Sequence, residues 1–177
     1  MSVSESAALA NAAGGLNEQK IERLRRQMLN PLLMRGFMLF RLPLGLFAGM
    51  RLDALDVEHC QTSVPYGWRS TNPFRSIYFA AQSMAAELST GALAKLAVEE
   101  APASIAMLIT GLEASFGKKA SARTTFTCDE GHKIFAAVRE TLTTGEAATA
   151  RVETVGRMPD GIEVSRFVFT WSFKKRT

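Results

Sequence analysis

Two histidines and two cysteines are the only soft ligands in the 177 residues, and that scarcity closes several routes. Cys60 and Cys128 do not make a disulfide framework, so a reducing compartment, the cytoplasm, is the default expectation. His59, Cys60, Cys128 and His132 lack the spacing of a zinc site, and no metal is expected. His59 and Cys60 are neighbours in a predicted strand, so they face opposite ways and cannot pair as base and nucleophile. The chain has no phosphate-binding Gly-rich loop with Lys, no dinucleotide fingerprint and no G-x-S-x-G elbow, and no cofactor is expected. The first fifteen residues, rich in Ser, Ala and Gly, carry no basic region of a secretory signal. They read as part of a disordered leader over residues 1–16.

Long apolar runs are also missing. The closest, LLMRGFMLFRLPLGLFAGM, is interrupted by Arg35, Arg41, Pro43 and three glycines, and central arginines are costly in lipid. A buried or interfacial helix covering one edge of a core is the better reading, with peripheral membrane contact through Leu32 to Met50 as a further use. The net charge of +4 and the pI near 9.3 come partly from Lys174, Lys175, Arg176 and the Arg23, Arg25, Arg26 cluster. These read as a solvated tail and a helix face; no aromatic-interleaved basic motif supports nucleic-acid binding.

What is present is an ordinary globular composition, 47% hydrophobic and 21% charged. One domain is expected over residues 17–177, with a helical extension at 17–48 that opens with the amphipathic NEQKIERLRRQML. From Met50, MRLDALDVEHCQTSVPY offers a hairpin breaking near Asp56 to Glu58, with Cys60, Thr62, Val64 and Tyr66 on one face. The chain then centres on NPFRSIYFAAQSMAAELSTGALAKLA. Its apolar residues recur at Ile77, Ala81, Met84, Leu88 and Ala92, a helical repeat, and small residues flank that stripe. Small side chains let a second surface approach closely, so this helix reads as wrapped by something. It carries one acid, Glu87.

After Ala101-Pro102, SIAMLITGLEASF reads as a strand buried on both faces with a bulge or bend at Gly111. ASARTTFTC alternates as a half-buried strand, and DEGHKIFAAVRETLTTG reads as a second helix stopped by Gly145. Two last strands join through Met158-Pro159-Asp160-Gly161, the final one presenting Phe167, Phe169, Trp171 and Phe173 on one face. Strands that outnumber helices around one small-residue helix predict an α+β fold, an antiparallel sheet curled about that helix.

This order of elements, with the tract PYGWRSTNPFRSIYFAAQSMAAELSTG and the upstream NPLLMRGFMLFRLP, resembles the hotdog-fold thioesterase superfamily. It is more closely similar to a thioesterase-like branch of unknown function. The resemblance spans roughly Asn17 to Phe173. It implies a homodimer or dimer of dimers whose sheets join, a site between subunits, and hydrolysis of an acyl-CoA or acyl-carrier thioester. A non-catalytic fatty-acyl or lipid-binding module on the same fold is the alternative.

One catalytic pattern of the superfamily places an Asn or Gln before the helix and an acid fifteen positions later, the interval kept here by Asn72 and Glu87. The acid would attack or activate water at the thioester carbonyl, and the amide would orient water or substrate. Where the pattern has His-Gly-Gly, this chain has Tyr78-Phe79-Ala80, and the Phe79 N–H is the expected oxyanion donor. The Ser or Thr often found one turn after the acid falls on Gly91, with Thr90 adjacent; Ser83, one turn before, could hydrogen-bond the acid. Against these stand plainer roles. Glu87 could be a structural acid capped by Ser83 or paired across a dimer, Asn72 a helix cap or turn residue, and Tyr78 a packing group. Met84, Leu88 and residues Phe37 to Phe47 are candidates to line an acyl tunnel, and Arg69, Lys118 or Lys119 to meet CoA phosphates.

Overall fold

The computed structural model describes residues 18–176; the leader expected at 1–16 lies outside them. Three N-terminal helices come first: α1 (Glu18–Leu29), α2 (Pro31–Arg41) and α3 (Pro43–Ala48). Asn30 caps α2, its Oδ1 accepting from the N–H groups of Leu32 (3.0 Å) and Leu33 (3.2 Å), with Pro31 in the first helical position. The single helix expected through this run is two, because Pro43 removes an N–H and pushes Leu42 out of the helical region. Only part of the run is buried. Met34, Met38, Gly45 and Ala48 face inward, whereas Leu32, Phe40 and Leu44 are 70% or more exposed. No described helix is long and apolar enough to cross a membrane.

The hairpin β1 (Arg51–Leu55) and β2 (Cys60–Val64) follows. It turns where expected, Asp56 Oδ1 accepting from the N–H groups of Glu58 and His59, both at 2.8 Å. Cys60, Thr62 and Val64 are buried together, but Tyr66 is not on their face. Pro65 ends the ladder and leaves Tyr66 exposed.

The long helix α4 (Phe79–Glu100) is the centre of the molecule. Then come β3 (Ile105–Phe116), β4 (Thr124–Cys128), α5 (Gly131–Thr144), β5 (Ala148–Arg157) and β6 (Glu163–Lys175). The strands form one open antiparallel sheet in the order β1-β2-β4-β5-β6-β3. It wraps α4 as the hotdog fold requires. Phe167, Phe169, Trp171 and Phe173 of β6 line its inner face, and Ala85, Ala86 and Ala94 let the sheet approach the helix backbone. Side chains lock the two together. Thr62 Oγ1 donates to the Ala85 carbonyl (2.6 Å), Ser89 and Thr154 share a hydroxyl bond (2.8 Å), Ser165 donates to Gln82 Oε1 (2.7 Å), and the Trp171 indole donates to Thr90 Oγ1 (3.1 Å).

Two more expectations meet the structure at β3. The register slips between Ile109 and Gly111, the bulge that Gly111 suggested; a Cβ there would lie 3.3 Å from Thr170 Oγ1. The burial expectation is overturned. β3 is an edge strand paired only with β6, and Leu108, Leu112 and Phe116 are each more than half exposed. An apolar run reads the same whether its own chain or another covers it.

On the sheet's other connection, α5 starts against the hairpin turn. A Cβ on Gly131 would sit 2.1 Å from the Val57 carbonyl oxygen, so only glycine fits. Gly145 caps the helix in the left-handed region (φ 77°), and Gly161 takes a similar positive φ (83°) in the β5–β6 turn.

Candidate functional site

The segment before α4 is a tight loop built on Asn72. Its Oδ1 accepts from the N–H groups of Phe74 (3.0 Å) and Ser76 (3.2 Å), and its backbone N–H donates to the Ser76 carbonyl (2.9 Å). Arg75, inside that loop, takes a positive φ of 58° without being glycine, a conformation the Asn72 bonds must hold. Asn72 is therefore a turn residue in this chain and does not cap α4. Its amide nitrogen has no partner among the described residues.

At the start of α4, Tyr78 provides no side-chain cap. The N–H groups of Phe79 and Ala80 precede the first intrahelical bond, Gln82 N–H to the Tyr78 carbonyl at 3.1 Å, and meet no acceptor among the described residues. These donors stand at the positive end of a 22-residue helix. A cavity of about 500 Å³ opens there, bordered by Asn72, Tyr78, Phe79, Phe116, Lys118 and Lys119. The Tyr78 and Phe79 rings pack edge-on at 4.9 Å, and Phe79 meets Phe116 at 6.5 Å. The glycine-rich helix start of the superfamily pattern is thus replaced by an aromatic rim.

Glu87 lies two turns further along. Between Ala81 and Ala97 every position of α4 is buried except Ser83, Met84, Glu87, Gly91 and Lys95. At 100° per residue these five fall on one stripe. Glu87 is half-buried in that stripe, with no hydrogen bond or ion pair to its carboxylate among the described residues. Burial without a counter-charge pushes its carboxyl above the usual range. The carboxylate folds over Gly91: a Cβ there would come within 2.8 Å of Glu87 Oε1 and 3.5 Å of the Trp171 ring.

The neighbours singled out from sequence take other partners. Ser83 Oγ donates to the Phe79 carbonyl (2.9 Å) and does not cap the acid. Thr90 points into the core, donating to the Glu87 backbone carbonyl (3.1 Å) and receiving the Trp171 indole N–H. Met84 shares the Glu87 stripe, whereas Leu88 is core. Trp171, read from sequence as core packing, also donates its indole N–H to Thr90 and lies beside Gly91, one turn from the acid. Its alternation with Phe169 and Phe173 carried no sign of that second role.

Away from this site, Cys60 and Cys128 face each other in register across β2 and β4, both buried as free thiols. Burial pushes Cys60 well up and Cys128 to about 11, so neither is a ready nucleophile. His59 pairs with Asp129, and His132 with Glu58 at 3.2 Å, all on the surface. No group of three or more metal-ligating side chains occurs among the described residues.

Comparison with known proteins comes down to one family and one fold. The family described as "Domain of unknown function (DUF4442)" matches residues 32–173. No curated protein matches. Among solved structures, a Chlorobaculum tepidum protein of unknown function superposes with a TM-score of 0.69 at 14% identity, over 94% of this chain and 100% of that one. A mutant thioesterase of Pseudomonas aeruginosa gives 0.60 at 16% identity, over 92% and 99%. A thioesterase of Haemophilus influenzae gives 0.56 at 10% identity, over 91% and 94%. At such identities the likeness is one of fold.

Proposed function

The chain belongs to the DUF4442 family, and from that membership and its thioesterase-like hotdog fold we propose that it hydrolyses acyl thioesters, carried on CoA or an acyl carrier. The observation that carries the reading is Glu87, an unpaired acid on the one accessible stripe of an otherwise buried helix. A carboxyl held above its usual range is a better proton acceptor. Glu87 takes a proton from water as the water oxygen bonds to the carbonyl carbon. The carbonyl oxygen, now an oxyanion, is held by the Phe79 N–H and the helix dipole. Its collapse breaks the C–S bond, and the proton held by Glu87 passes to the leaving thiolate. The free amide nitrogen of Asn72 orients water or substrate, and Lys118 and Lys119 meet the phosphates of the carrier.

The proposal includes a homodimer. Phe79 and Glu87 are eight residues apart on one helix, about 12 Å along its axis. An oxyanion donor and the base for its attacking water must both come within about 3 Å of one reacting centre. One helix cannot do this; two related by a two-fold can, the helix start of one protomer facing the partner subunit's Glu87. Leu112 and Phe116 support this arrangement, being exposed apolar residues on the helix side of an edge strand. Light scattering is expected to give a mass of two chains or a multiple of two, and a monomeric mass would remove the shared site.

The test of function is thioester hydrolysis across acyl-CoAs from short to long chains, with wild type beside Glu87→Ala and Glu87→Gln. At least a tenfold loss in both variants, about 1.4 kcal/mol of barrier, is expected. Activity that survives both substitutions sinks the role given to Glu87. The aromatic rim of Tyr78 and Phe79 favours a second reading, acyl binding without hydrolysis. A wild type that binds the panel and hydrolyses none of it would establish that reading.

A further inference from the structure

A second cavity lies elsewhere, between the N-terminal helices and the β1 edge of the sheet. It measures about 910 Å³ and shares no lining residue with the cavity at the start of α4. Its walls are of two kinds. Met34, Met38, Leu46 and Met50 supply an apolar, adaptable surface, methionine being the side chain best suited to follow a flexible chain. Arg35, Arg51, Arg69 and Arg123 supply four guanidinium groups, against a single carboxylate, Asp53.

These arginines are not spent on the protein. On β5 and β6 every arginine is paired: Arg151 with Glu113, Arg157 with Glu163, and Arg166 with Glu153 and Glu163. At the cavity, Arg123 makes one hydrogen bond, to Ser63 Oγ at 3.1 Å. Arg35, Arg51 and Arg69 have no hydrogen bond or ion pair among the described residues. Local backbone geometry brings Arg69 in. Gly49 ends α3 at φ 78°, and a Cβ there would lie 3.1 Å from Pro65 and 3.3 Å from the Arg69 guanidinium. The surrounding sequence adds no neutralising acid, since none occurs from Pro31 to Leu52 or from Pro65 to Ala86.

An excess of three positive charges around an apolar hollow is complementary to one kind of molecule. We propose that this cavity binds a single-chain amphiphile with an anionic head, the chain against the methionines and the carboxylate or phosphate head among the arginines. Pockets for small ligands run to about 1,000 Å³, which suits one acyl chain and its head group. Guanidinium groups, with paired donors in a fixed plane, suit both heads. The site contains neither Glu87 nor Asn72 and does not rest on the hydrolytic reading.

Calorimetric titration of the delipidated full-length protein tests it with four probes: dodecanoate, dodecyl phosphate, dodecanol and inorganic phosphate. Dodecanoate or dodecyl phosphate is expected to bind one per chain, and comparing the two tells which head the site prefers. Dodecanol should bind at least tenfold more weakly, and inorganic phosphate should not displace either amphiphile. The Arg35→Ala/Arg69→Ala double variant removes two exposed, unpaired side chains and should lose tenfold or more for both anions. Leu46→Trp, which fills the apolar end, should lose binding as well, and Glu87→Gln should bind as the wild type does. The proposal falls if the wild type binds neither anion, if dodecanol binds equally well, or if the double variant is unaffected. It also falls if inorganic phosphate competes fully, which would mean a free-anion site, or if Glu87→Gln alone abolishes binding, which would place the probe at α4.

Discussion

Replacing Gly91 with alanine should make the protein more stable and a worse catalyst. Gly91 lies inside a 22-residue helix, where alanine is favoured by about 0.8–1.0 kcal/mol. The added methyl meets the Trp171 ring at 3.5 Å, an ordinary contact, and Glu87 Oε1 at 2.8 Å, a distance real Cβ atoms do not tolerate. The atom that must move is the tip of a flexible side chain, so the helix keeps most of the gain. Thermal unfolding should rise by about 2–4 °C, the shift that 1 kcal/mol produces in a chain of this size. The Glu87 carboxylate, pushed away from Gly91, loses its position, and a displacement near 1 Å can cost about a hundredfold in rate. Calorimetry and acyl-CoA hydrolysis on the same preparation read both effects. A destabilised Gly91→Ala protein would refute the packing described around Glu87, and unchanged hydrolysis would refute the use of that carboxylate.

Other predictions follow from the same geometry. The Glu87 carboxyl is raised in the folded state, so ionising it costs stability as pH rises above its unfolded value. Urea titrations should find Glu87→Gln more stable than wild type at neutral pH, with the difference vanishing in acid, where both states are protonated. Gly131→Ala should destabilise despite its helical site: its Cβ would be driven to 2.1 Å from the Val57 carbonyl and would strain the 3.0 Å bond from the Gly131 N–H to the Glu58 carbonyl. A loss of about 1–3 kcal/mol is expected by chemical denaturation. The exposed Leu32, Phe40 and Leu44, beside Arg35 and Arg41, should carry the protein onto anionic vesicles in co-sedimentation, and aspartate at Phe40 and Leu44 should release it.

Much of the fold was legible because periodicity reports burial. Four members of the expected repeat, Ile77, Ala81, Leu88 and Ala92, and the alternation in β6 matched what the structure buries, whereas the fifth, Met84, sits on the accessible stripe with Glu87. Reading failed where an apolar residue has more than one possible cover. β3 looked doubly buried and is an edge; the Leu32 to Met50 run looked like one covering helix and is two, split at Pro43 and exposed on one side. The site was legible as a lone acid on an apolar helix. What sequence could not supply was partnership: that Ser83 bonds the helix backbone, that Thr90 serves Trp171, and which of the plainer roles offered for Asn72, cap or turn, it takes.

The alanine-rich surface of α4 has a mechanical consequence. Where it is studded with methyl groups the cylinder is nearly smooth, and the buried Leu88, Leu93 and Leu96 are the knobs that hold its setting by shape. Indexing it further is the set of four side-chain bonds from Thr62, Thr154, Ser165 and Trp171, drawn from three strands. A slip of one residue, about 1.5 Å and 100°, would break all four. At about 1 kcal/mol each, they bias the setting by nearly a thousandfold. The bearing on which Glu87 points is thus set like a key in a shaft, by hydroxyl and indole teeth far from it in the chain.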